Sequence, residues 1–296
     1  MPRHAFWKIL ASLVMRTSAF LLSALSLPPS AFAWGTLGHR TVAAVAQNYL
    51  LPATQTWVSN ILGDTLVNVA TWADDYRYTT AGAFSASYHY IDAQDNPPTS
   101  CSVSYSRDCG NACIVSAITN YTSRVQSTSL STSERAIALK FIVHLLGDIT
   151  QPLHDENKAT GGNGISVLWD GATTNLHSVW DSSIAEKYVG GNTVAYATTW
   201  GNQIVAKLAT GGAYASSKSS WLSCVTPSTA QTCALAWATD GNALVCSYVL
   251  KTDPTGKELT GTYYTGAYPL VEQQIAKGGI RLAAYLNTIV TGSSGF

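Results

Sequence analysis

The sequence from Ser131 to His154, STSERAIALKFIVHLLGDITQPLH, decides the fold of this chain. Its first four residues form a Ser-x-x-Glu capping box, a pattern in which two side chains satisfy backbone N–H groups at a helix start. Apolar residues then recur with helical spacing, so we predict a helix from about Thr132 to Ile149. Pro152 cannot continue that helix and should turn the chain back toward its last turn.

The end of this predicted helix carries the pattern His-x-x-x-Asp, formed by His144 and Asp148. Because residues four apart share one face of a helix, the imidazole and the carboxylate can reach the same point. A second copy, His177 and Asp181, lies on a helix that should begin near Asn175. These pairs indicate a transition-metal site, because zinc favours imidazole and carboxylate ligands.

Five of the six histidines follow residue 33: His39, His89, His144, His154 and His177. Any one of them could be an ordinary hydrogen-bonded core residue, which is the commoner role of a lone histidine on an apolar face. Together they are better explained as metal ligands, since five imidazoles with clustered carboxylates would be costly to bury unpaired.

The first 33 residues have the form of a signal peptide. Three basic residues precede a short apolar run, and the small-x-small sequence Ala31-Phe32-Ala33 follows it. We therefore predict that residues 1–33 are removed, that the mature chain begins at Trp34, and that the protein is secreted. The apolar run is too short to span a bilayer, and no later stretch has the ~18 to 20 apolar residues of a membrane helix. No membrane partner is expected.

The predicted mature chain, residues 34–296, keeps 263 of the 296 residues and shows no linker or internal repeat. That length suits one large domain. It has 14 basic and 17 acidic residues, so the basic stripe of a duplex-DNA binder is excluded. Asn120-Tyr121-Thr122 is the only N-glycosylation sequon, and a glycan at Asn120 would agree with secretion.

Six cysteines follow residue 33: Cys101, Cys109, Cys113, Cys224, Cys233 and Cys246. An even number in a secreted chain indicates three disulfides, although the sequence alone allows 15 pairings. Zinc ligation by thiolates is disfavoured because no Cys-x-x-Cys pair occurs and the thiols would oxidise outside the cell.

Apolar periodicity predicts further helices at Gly38–Leu50 and, despite two adjacent glycines, at Tyr268–Val290. The segments Tyr88–Asn96 and Thr160–Thr174 are rich in Gly, Asp and Pro and should form loops or short strands. The expected fold class is mainly α, with short β or loop segments and disulfides that staple them.

Five motifs of this chain resemble those of a known enzyme family. They are Trp34-Gly-Thr-Leu-Gly-His39, Trp72-Ala-Asp74, His89-Tyr-Ile-Asp92, the segment from His144 to His154, and Asn175-Leu-His177-Ser-Val-Trp-Asp181. In order, spacing and residue type they resemble the zinc-dependent single-strand-specific nucleases of fungi and plants, the mung bean nuclease type. The resemblance extends from Trp34 to about Leu286. Bacterial zinc-dependent phospholipases C share the fold and most of the ligands.

The resemblance implies three zinc ions per chain. Asp74, His89, His144 and Asp148 would hold the first zinc; His154, His177 and Asp181 would hold the second. The third would be held by the α-amino nitrogen and backbone carbonyl of Trp34, by His39, and again by Asp148 as a bridge between two ions. The resemblance also implies disulfides Cys101–Cys246 and Cys109–Cys113, with Cys224–Cys233 as an additional pair.

Asp74 is expected to orient the attacking water, and Arg77 to contact the phosphate, although Arg77 could also be an ordinary solvated charge. Tyr90 matches the base-stacking aromatic of the family, yet it is also one of 15 tyrosines. Asp92, expected to bind substrate beside Tyr90, could instead be a loop carboxylate, a turn residue, or a group that orients a ligand imidazole.

Asp95 and Asp155 could likewise each be a loop carboxylate, a turn residue, or a group that orients a ligand imidazole. For Asp155 we favour the role of orienting an imidazole.

The chain departs from its relatives in three places. Ala172-Thr173-Thr174 stands where fungal nucleases often carry an aromatic, which puts a second nucleotide site using that aromatic in doubt. The loop between Cys109 and Cys113 is shorter than in some relatives. Asp181 occupies the last ligand position, where the phospholipases have Glu, and this favours the nuclease.

The resemblance thus implies a secreted, monomeric zinc endonuclease that cuts single-stranded DNA and RNA to 5′-mononucleotides and removes 3′-phosphates from 3′-nucleotides. Two rival functions are a zinc phospholipase C and a non-catalytic zinc-binding protein. Release of a phospholipid headgroup would support the first rival. Zinc occupancy without phosphodiesterase activity would support the second.

Overall fold

The capping box predicted at Ser131 is present and starts the central helix. The Ser131 side chain accepts a hydrogen bond from the Glu134 backbone at 3.3 Å, and the Glu134 carboxylate accepts one from the Ser131 backbone at 3.1 Å. The helix spans Thr132–Asp148, one residue less than predicted. Its second half is completely buried, so its two metal-ligand candidates, His144 and Asp148, face the protein interior.

The computed structural model describes Met1 and the residues from Trp34 to Phe296, so the rest of the predicted signal peptide lies outside the described residues. Within that part of the chain, the α-helices are α1 (Thr36–Tyr49), α2 (Pro52–Leu62), α3 (Leu66–Val69), α4 (Trp72–Tyr76), α5 (Tyr105–Asp108), α6 (Ile114–Gln126), α7 (Thr132–Asp148), α8 (Leu176–Ser178), α9 (Ile184–Val189), α10 (Val194–Leu208), α11 (Lys218–Trp221), α12 (Ala230–Leu244) and α13 (Thr262–Thr291). Short 3₁₀ helices occur at Ala83–His89, Pro152–Asp155, Ala215–Ser217 and Pro227–Thr229, and π-helical turns at Val179–Ser183 and Val245–Val249. The prediction of a mainly helical fold is confirmed.

The glycine pair Gly278-Gly279 allows α13 to pack closely against α1. A Cβ atom on Gly279 would lie 2.5 Å from the Cβ of Val45, and one on Gly278 would lie 3.3 Å from a methyl of Val42. A side chain at position 279 would clash with α1, and one at position 278 would be tightly packed, which explains two glycines inside a buried helix. The predicted helix Gly38–Leu50 corresponds to α1.

Helix α13 begins six residues before the predicted start at Tyr268. In the structure Pro269 lies inside α13, which begins at Thr262. The buried face of the helix outweighs the hydrogen bond that proline removes.

The segment predicted as loops or short strands contains the single sheet of the described residues. Strands β1 (Ser166–Trp169) and β2 (Ala172–Asn175) pair antiparallel across Asp170-Gly171, both with positive φ, which is the geometry of a type I′ hairpin turn. The side chain of Asn175 then accepts a hydrogen bond from the backbone of Ser178 at 2.8 Å. This cap starts α8, which continues through the π-helical turn into α9 and carries His177 and Asp181.

Three disulfides join Cys101 to Cys246, Cys109 to Cys113, and Cys224 to Cys233, the pairing that the resemblance implies. The first of them ties the loop after Asp95 to the π-helical turn that follows α12, with 5.8 Å between its Cα atoms. The residues from Trp34 onward belong to one compact unit. None of the helices in Trp34–Phe296 is long and apolar enough to cross a membrane.

Candidate metal centre and substrate cavity

The four side chains of the first predicted zinc set converge in the interior. His89 Nδ1 lies 3.0 Å from Asp148 Oδ2 and 3.1 Å from His144 Nε2, which is 3.2 Å from the same Asp148 oxygen. Asp74 Oδ1 completes the set at 3.8 Å from His89 Nδ1 and 3.6 Å from His144 Nε2. Four ligands on a tetrahedral zinc with bonds of about 2.0–2.1 Å are about 3.3–3.4 Å apart. The observed spacing therefore fits one ion.

The second predicted set also comes together, on α8, the adjoining π-helical turn and the short helix after Pro152. His177 Nε2 lies 3.2 Å from Asp181 Oδ2, and His154 Nε2 lies 3.9 Å from Asp181 Oδ1. Gln151 donates a hydrogen bond from its side-chain amide to Asp181 Oδ1 at 2.5 Å. This contact orients the carboxylate toward the two imidazoles.

The third predicted set shares Asp148 with the first. His39 Nε2 lies 3.0 Å from Asp148 Oδ1, the oxygen that faces away from His89, so this carboxylate is placed to bridge two positions. The His39 ring stacks on the His144 ring at 3.9 Å. A Cβ atom on Gly147 would lie 2.9 Å from His39 Nδ1, so glycine is needed for this close approach.

Trp34 lies at the same place and is completely buried. A Cβ atom on Gly147 would lie 3.9 Å from the Trp34 indole, which puts that ring beside His39. The indole nitrogen donates a hydrogen bond to Thr150 Oγ1 at 3.0 Å and is therefore not available to a metal. Only the backbone atoms of Trp34 remain as candidate ligands, as the resemblance implies.

Backbone carbonyls orient three of the imidazoles. The Nδ1 atoms of His144, His154 and His177 lie 2.7, 2.7 and 2.6 Å from the carbonyl oxygens of Ala70, His89 and Gly161. A hydrogen bond from Nδ1–H to a carbonyl fixes the tautomer that leaves Nε2 with a free lone pair. All three rings therefore point a basic nitrogen at their cluster.

The electrostatics of the two sites differ. Burial lowers the pKa of His154 to about 3 and that of His177 to about 4, so both rings are neutral ligands at ordinary pH. Burial also opposes charge on His144, but Asp148 and Asp74 outweigh it and raise the pKa of His144 to about 9. The pKa of Asp148 is held well below its usual range, against the effect of burial, by His144 and His39. The first cluster thus stabilises positive charge.

The buried donor atoms of the site are placed to bind metal ions rather than to hydrogen-bond with one another. The Nε2 atoms of His154 and His177 are buried and have no hydrogen-bond partner in the described residues. Leaving such an atom unsatisfied costs about 1–3 kcal/mol, which ligation of a cation would remove. Three groups of His and Asp side chains in Trp34–Phe296 bring their ligand atoms within 4.8 Å of one another. One group joins His39 to Asp74 and His144, so the first and third predicted sets form one continuous cluster.

A cavity of about 190 Å³ opens beside these clusters and contains the residues predicted to bind substrate. Its lining includes Arg77, Tyr90 and Asp92 together with the ligand candidates His89, His154 and His177. A carboxylate oxygen of Asp74 lies 3.7 Å from the Arg77 guanidinium. The Tyr90 side chain is 38% exposed, so its ring is accessible to a ligand. Burial and the neighbouring Asp108 raise the pKa of Asp92.

The orienting role favoured for Asp155 is wrong. Its carboxyl oxygens are buried without a hydrogen-bond partner in the described residues, and backbone carbonyls orient three of the ligand imidazoles instead. Burial and the charge of Asp240 raise the pKa of Asp155 well above its usual range. Asp95 is a loop carboxylate, because it accepts hydrogen bonds from Ser102 and Asn242 at 2.9 and 3.1 Å.

Among the residues that position or line the site and that the sequence motifs did not indicate are Gln151, Gly161 and Asn163. Asn163 lines the cavity, and Gly161 supplies the carbonyl that holds His177. Gly161 and Gly162 have φ values of 60° and 78°. A Cβ atom on Gly161 would lie 2.7 Å from the Leu153 carbonyl oxygen. The Gly-Gly pair was therefore the available signal for a loop that presses against the site.

Comparison with known proteins agrees with this geometry. The sequence model of the S1/P1 nuclease family matches residues 34–291. Nuclease S1 of Aspergillus oryzae is 47% identical over 278 residues, covering 91% of this chain and 96% of the relative. Nuclease P1 of Penicillium citrinum is 47% identical over 267 residues, covering 86% and 97%. Endonuclease 3 of Arabidopsis thaliana is 34% identical over 271 residues, covering 88% and 90%. With its His–Asp clusters in place and a match over almost the whole described chain, this protein belongs to the S1/P1 nuclease family.

Proposed function

We propose that this protein is a zinc-dependent phosphodiesterase that cuts single-stranded DNA and RNA. The observation that carries the proposal is the convergence of three buried His–Asp groups beside a cavity that offers a guanidinium and an exposed aromatic ring. Bound zinc supplies Lewis-acid polarisation of the phosphate and generates the nucleophile from water near neutral pH. The match to nucleases S1 and P1 supports the nuclease over the phospholipase.

The nine proposed zinc ligands are Trp34, His39, Asp74, His89, His144, Asp148, His154, His177 and Asp181, for three ions per chain. The side chains among them either take part in close His–Asp contacts or lie in the three convergent groups. Trp34 would bind zinc through its backbone carbonyl and, after cleavage behind Ala33, through its α-amino nitrogen.

The remaining residues of the cavity act on the substrate. Arg77 offers a fixed positive charge to the phosphate and to the charge that builds up on its oxygens. Asp74 accepts a hydrogen bond from the attacking water and so directs its lone pair toward phosphorus. The Tyr90 ring stacks on a base, and Asp92 contacts the same nucleotide from the cavity wall.

The finer properties carried by the family resemblance belong to the same proposal. The products are 5′-mononucleotides, and 3′-nucleotides lose their phosphate. The protein acts as a secreted monomer after removal of residues 1–33, in agreement with its three disulfides. Asn120 is exposed on α6 and is therefore accessible for glycosylation.

The decisive test is strand preference. A duplex holds its bases stacked and paired, and a base can enter the cavity only after unstacking at a cost of a few kcal/mol. We expect single-stranded oligonucleotides to be cut at least about 100-fold faster than matched duplexes, and phosphatidylcholine not to be cleaved. The measurement is initial rates on all three substrates at a constant zinc concentration.

The same assay at several salt concentrations tests how the substrate is held. The mature chain has a slight net negative charge, so few counterions should be released on binding and log KM should change little with log salt. Equal cleavage of both strand forms, or a steep salt slope, would contradict a stacking cavity. Headgroup release would favour the phospholipase.

Replacement of Tyr90 tests base stacking. Stacking of a base on an aromatic ring is worth about 1–3 kcal/mol. Tyr90→Ala should therefore raise KM on single-stranded oligonucleotides about five- to 100-fold while zinc content stays normal. Tyr90→Phe keeps the ring and serves as the control. Normal kinetics of Tyr90→Ala would mean that the ring only packs against the protein.

A further inference from the structure

A second, wider cavity lies on the other side of Tyr90. Its volume is about 480 Å³, and it shares Tyr90 and Asp92 with the cavity beside the metal centre. Its other walls are the 3₁₀ helix that contains Phe84 and Ser87, and the disulfide loop Cys109–Cys113. The two cavities are therefore neighbours separated by one exposed aromatic ring. We call the second one the distal cleft.

The 3₁₀ helix places two side chains in a row along the distal cleft. Such a helix has three residues per turn, so Phe84 and Ser87 lie one above the other. Tyr90 follows at the extended C-terminal cap of this helix. At about 2 Å per residue, the segment from Phe84 to Tyr90 is about 12 Å long. Stacked bases are about 3.4 Å apart, so this length has room for at least one further nucleotide.

Phe84 is exposed but held in position. Its side chain is 57% exposed, yet the ring makes edge contacts with Tyr76 at 6.4 Å and Tyr88 at 5.7 Å between centroids. Because the same helix ends at the ligand candidate His89, the position of Phe84 relative to the metal centre is fixed by short-range backbone geometry. A preorganised ring of this kind loses little conformational freedom when a flat ligand stacks on it.

The charges of the distal cleft favour a base over a phosphate. Asp92 and Asp108 line it, and Asp108 forms an ion pair with Arg107 and accepts hydrogen bonds from the backbone of Gln94 and Ser104. The guanidinium of Arg77 belongs to the cavity on the other side of Tyr90. The anionic phosphates of a nucleic acid would be attracted to Arg77 in the metal cavity, so the distal cleft would take up the neutral face of a base.

The disulfide loop forms the opposite wall of the distal cleft. Gly110, with a φ of 55°, and Asn111 are both exposed, and the bond between Cys109 and Cys113 restrains them. The exposed amide of Asn111 offers N–H donors and a carbonyl acceptor to the edge of a base. The cleft thus combines a flat apolar surface with a polar rim, the combination that binds unpaired bases.

We propose that the distal cleft binds the nucleotide next to the one in the metal cavity, with its base stacked on Phe84. This inference rests on the proposed nuclease function, since a polynucleotide held at the metals must continue past Tyr90. The cleft is then a second subsite that tightens binding of single-stranded substrates longer than one nucleotide.

The test separates one nucleotide from several. Phe84→Ala should raise KM for a single-stranded tetranucleotide about five- to thirtyfold, while the competitive inhibition constant of a 5′-mononucleotide changes less than twofold. Phe84→Trp should restore the wild-type KM because it restores a stacking surface. Tyr196→Ala removes a comparably exposed aromatic ring, 42% exposed on α10, that does not line the cleft, and it should leave both constants unchanged. Zinc content should be normal in every variant.

Three results would overturn the subsite. They are an unchanged tetranucleotide KM in Phe84→Ala, an equal loss for tetranucleotide and mononucleotide, or lost zinc, which would mean that Phe84 only supports His89. A wild-type protein that binds zinc but cuts no single strand would refute the proposed function, and the subsite with it. The two failures are therefore distinguishable.

Discussion

Asp148→Asn is expected to abolish activity and to reduce the zinc content from about three ions per chain to about one. Asp148 contacts both His39 and His89, through opposite oxygens at 3.0 Å each. The amide keeps the shape but loses the charge, so two ions lose a ligand. Removing one electrostatic group from an active site costs about 10²–10³ in kcat. Because this change affects two ions, we expect a loss of at least about 10³-fold.

The measurement combines elemental analysis, kcat on a single-stranded substrate and the melting temperature. Chelation of the wild-type protein should likewise abolish activity and lower the melting temperature, since metal-binding energy is part of the folding energy. Asp75→Asn is the matched control, because Asp75 is exposed beside the ligand Asp74 and belongs to none of the three His–Asp groups. A wild-type protein with one zinc or none, or an active Asp148→Asn variant with three, would contradict the trinuclear site.

One extra residue before Trp34 is expected to remove the third zinc and to reduce turnover at least about 100-fold. Loss of a group that only orients a metal ligand costs up to about 100-fold, and loss of a ligand itself should cost at least as much. Trp34 is buried, its indole is bound to Thr150, and the next backbone N–H, of Gly35, donates to the Asp181 carbonyl at 2.7 Å. The residue therefore has no freedom to move aside. An added residue converts the α-amine into an amide, which is a much weaker zinc ligand.

The experiment compares proteins that begin at Trp34 with proteins that retain one added residue. Zinc content and kcat are measured for both. The control carries the same added residue after Phe296, which is exposed at the other end of the chain and should tolerate it. Full turnover and three zinc ions in the N-terminally extended protein would show that the amine of Trp34 is not a ligand.

Local patterns in the sequence were sufficient to predict the helices that carry the proposed metal ligands. The capping box at Ser131 and the apolar periodicity after it predicted α7 to within one residue. The i, i+4 spacing of His144 with Asp148, and of His177 with Asp181, predicted two close pairs, now at 3.2 Å each. These predictions succeed because helix geometry depends only on near neighbours along the chain. The five histidines and their carboxylates were likewise recognisable as candidate ligands by residue type.

Other features depended on parts of the chain that are distant in sequence. Asp74 meets His144 only because α4 packs against α7, and the carbonyls of Ala70 and Gly161 orient imidazoles far along the sequence. No local pattern shows which backbone carbonyl will face a given ring, and the incorrect role assigned to Asp155 follows from this. Helix α13 also starts earlier than predicted because of tertiary packing. Burial of one face of the helix stabilises it by more than the loss of the backbone hydrogen bond at Pro269 costs.

The distal cleft is the clearest product of tertiary structure. Phe84 and the loop Cys109–Cys113 are more than 20 residues apart, and neither carries a motif that indicates binding. They become two walls of one cleft only when the 3₁₀ helix and the disulfide loop pack side by side. The sequence by itself therefore determined the candidate ligands and the helices that present them. Tertiary packing decided the orientation of the imidazoles and the shape of the substrate cavities, because these depend on which distant surfaces meet.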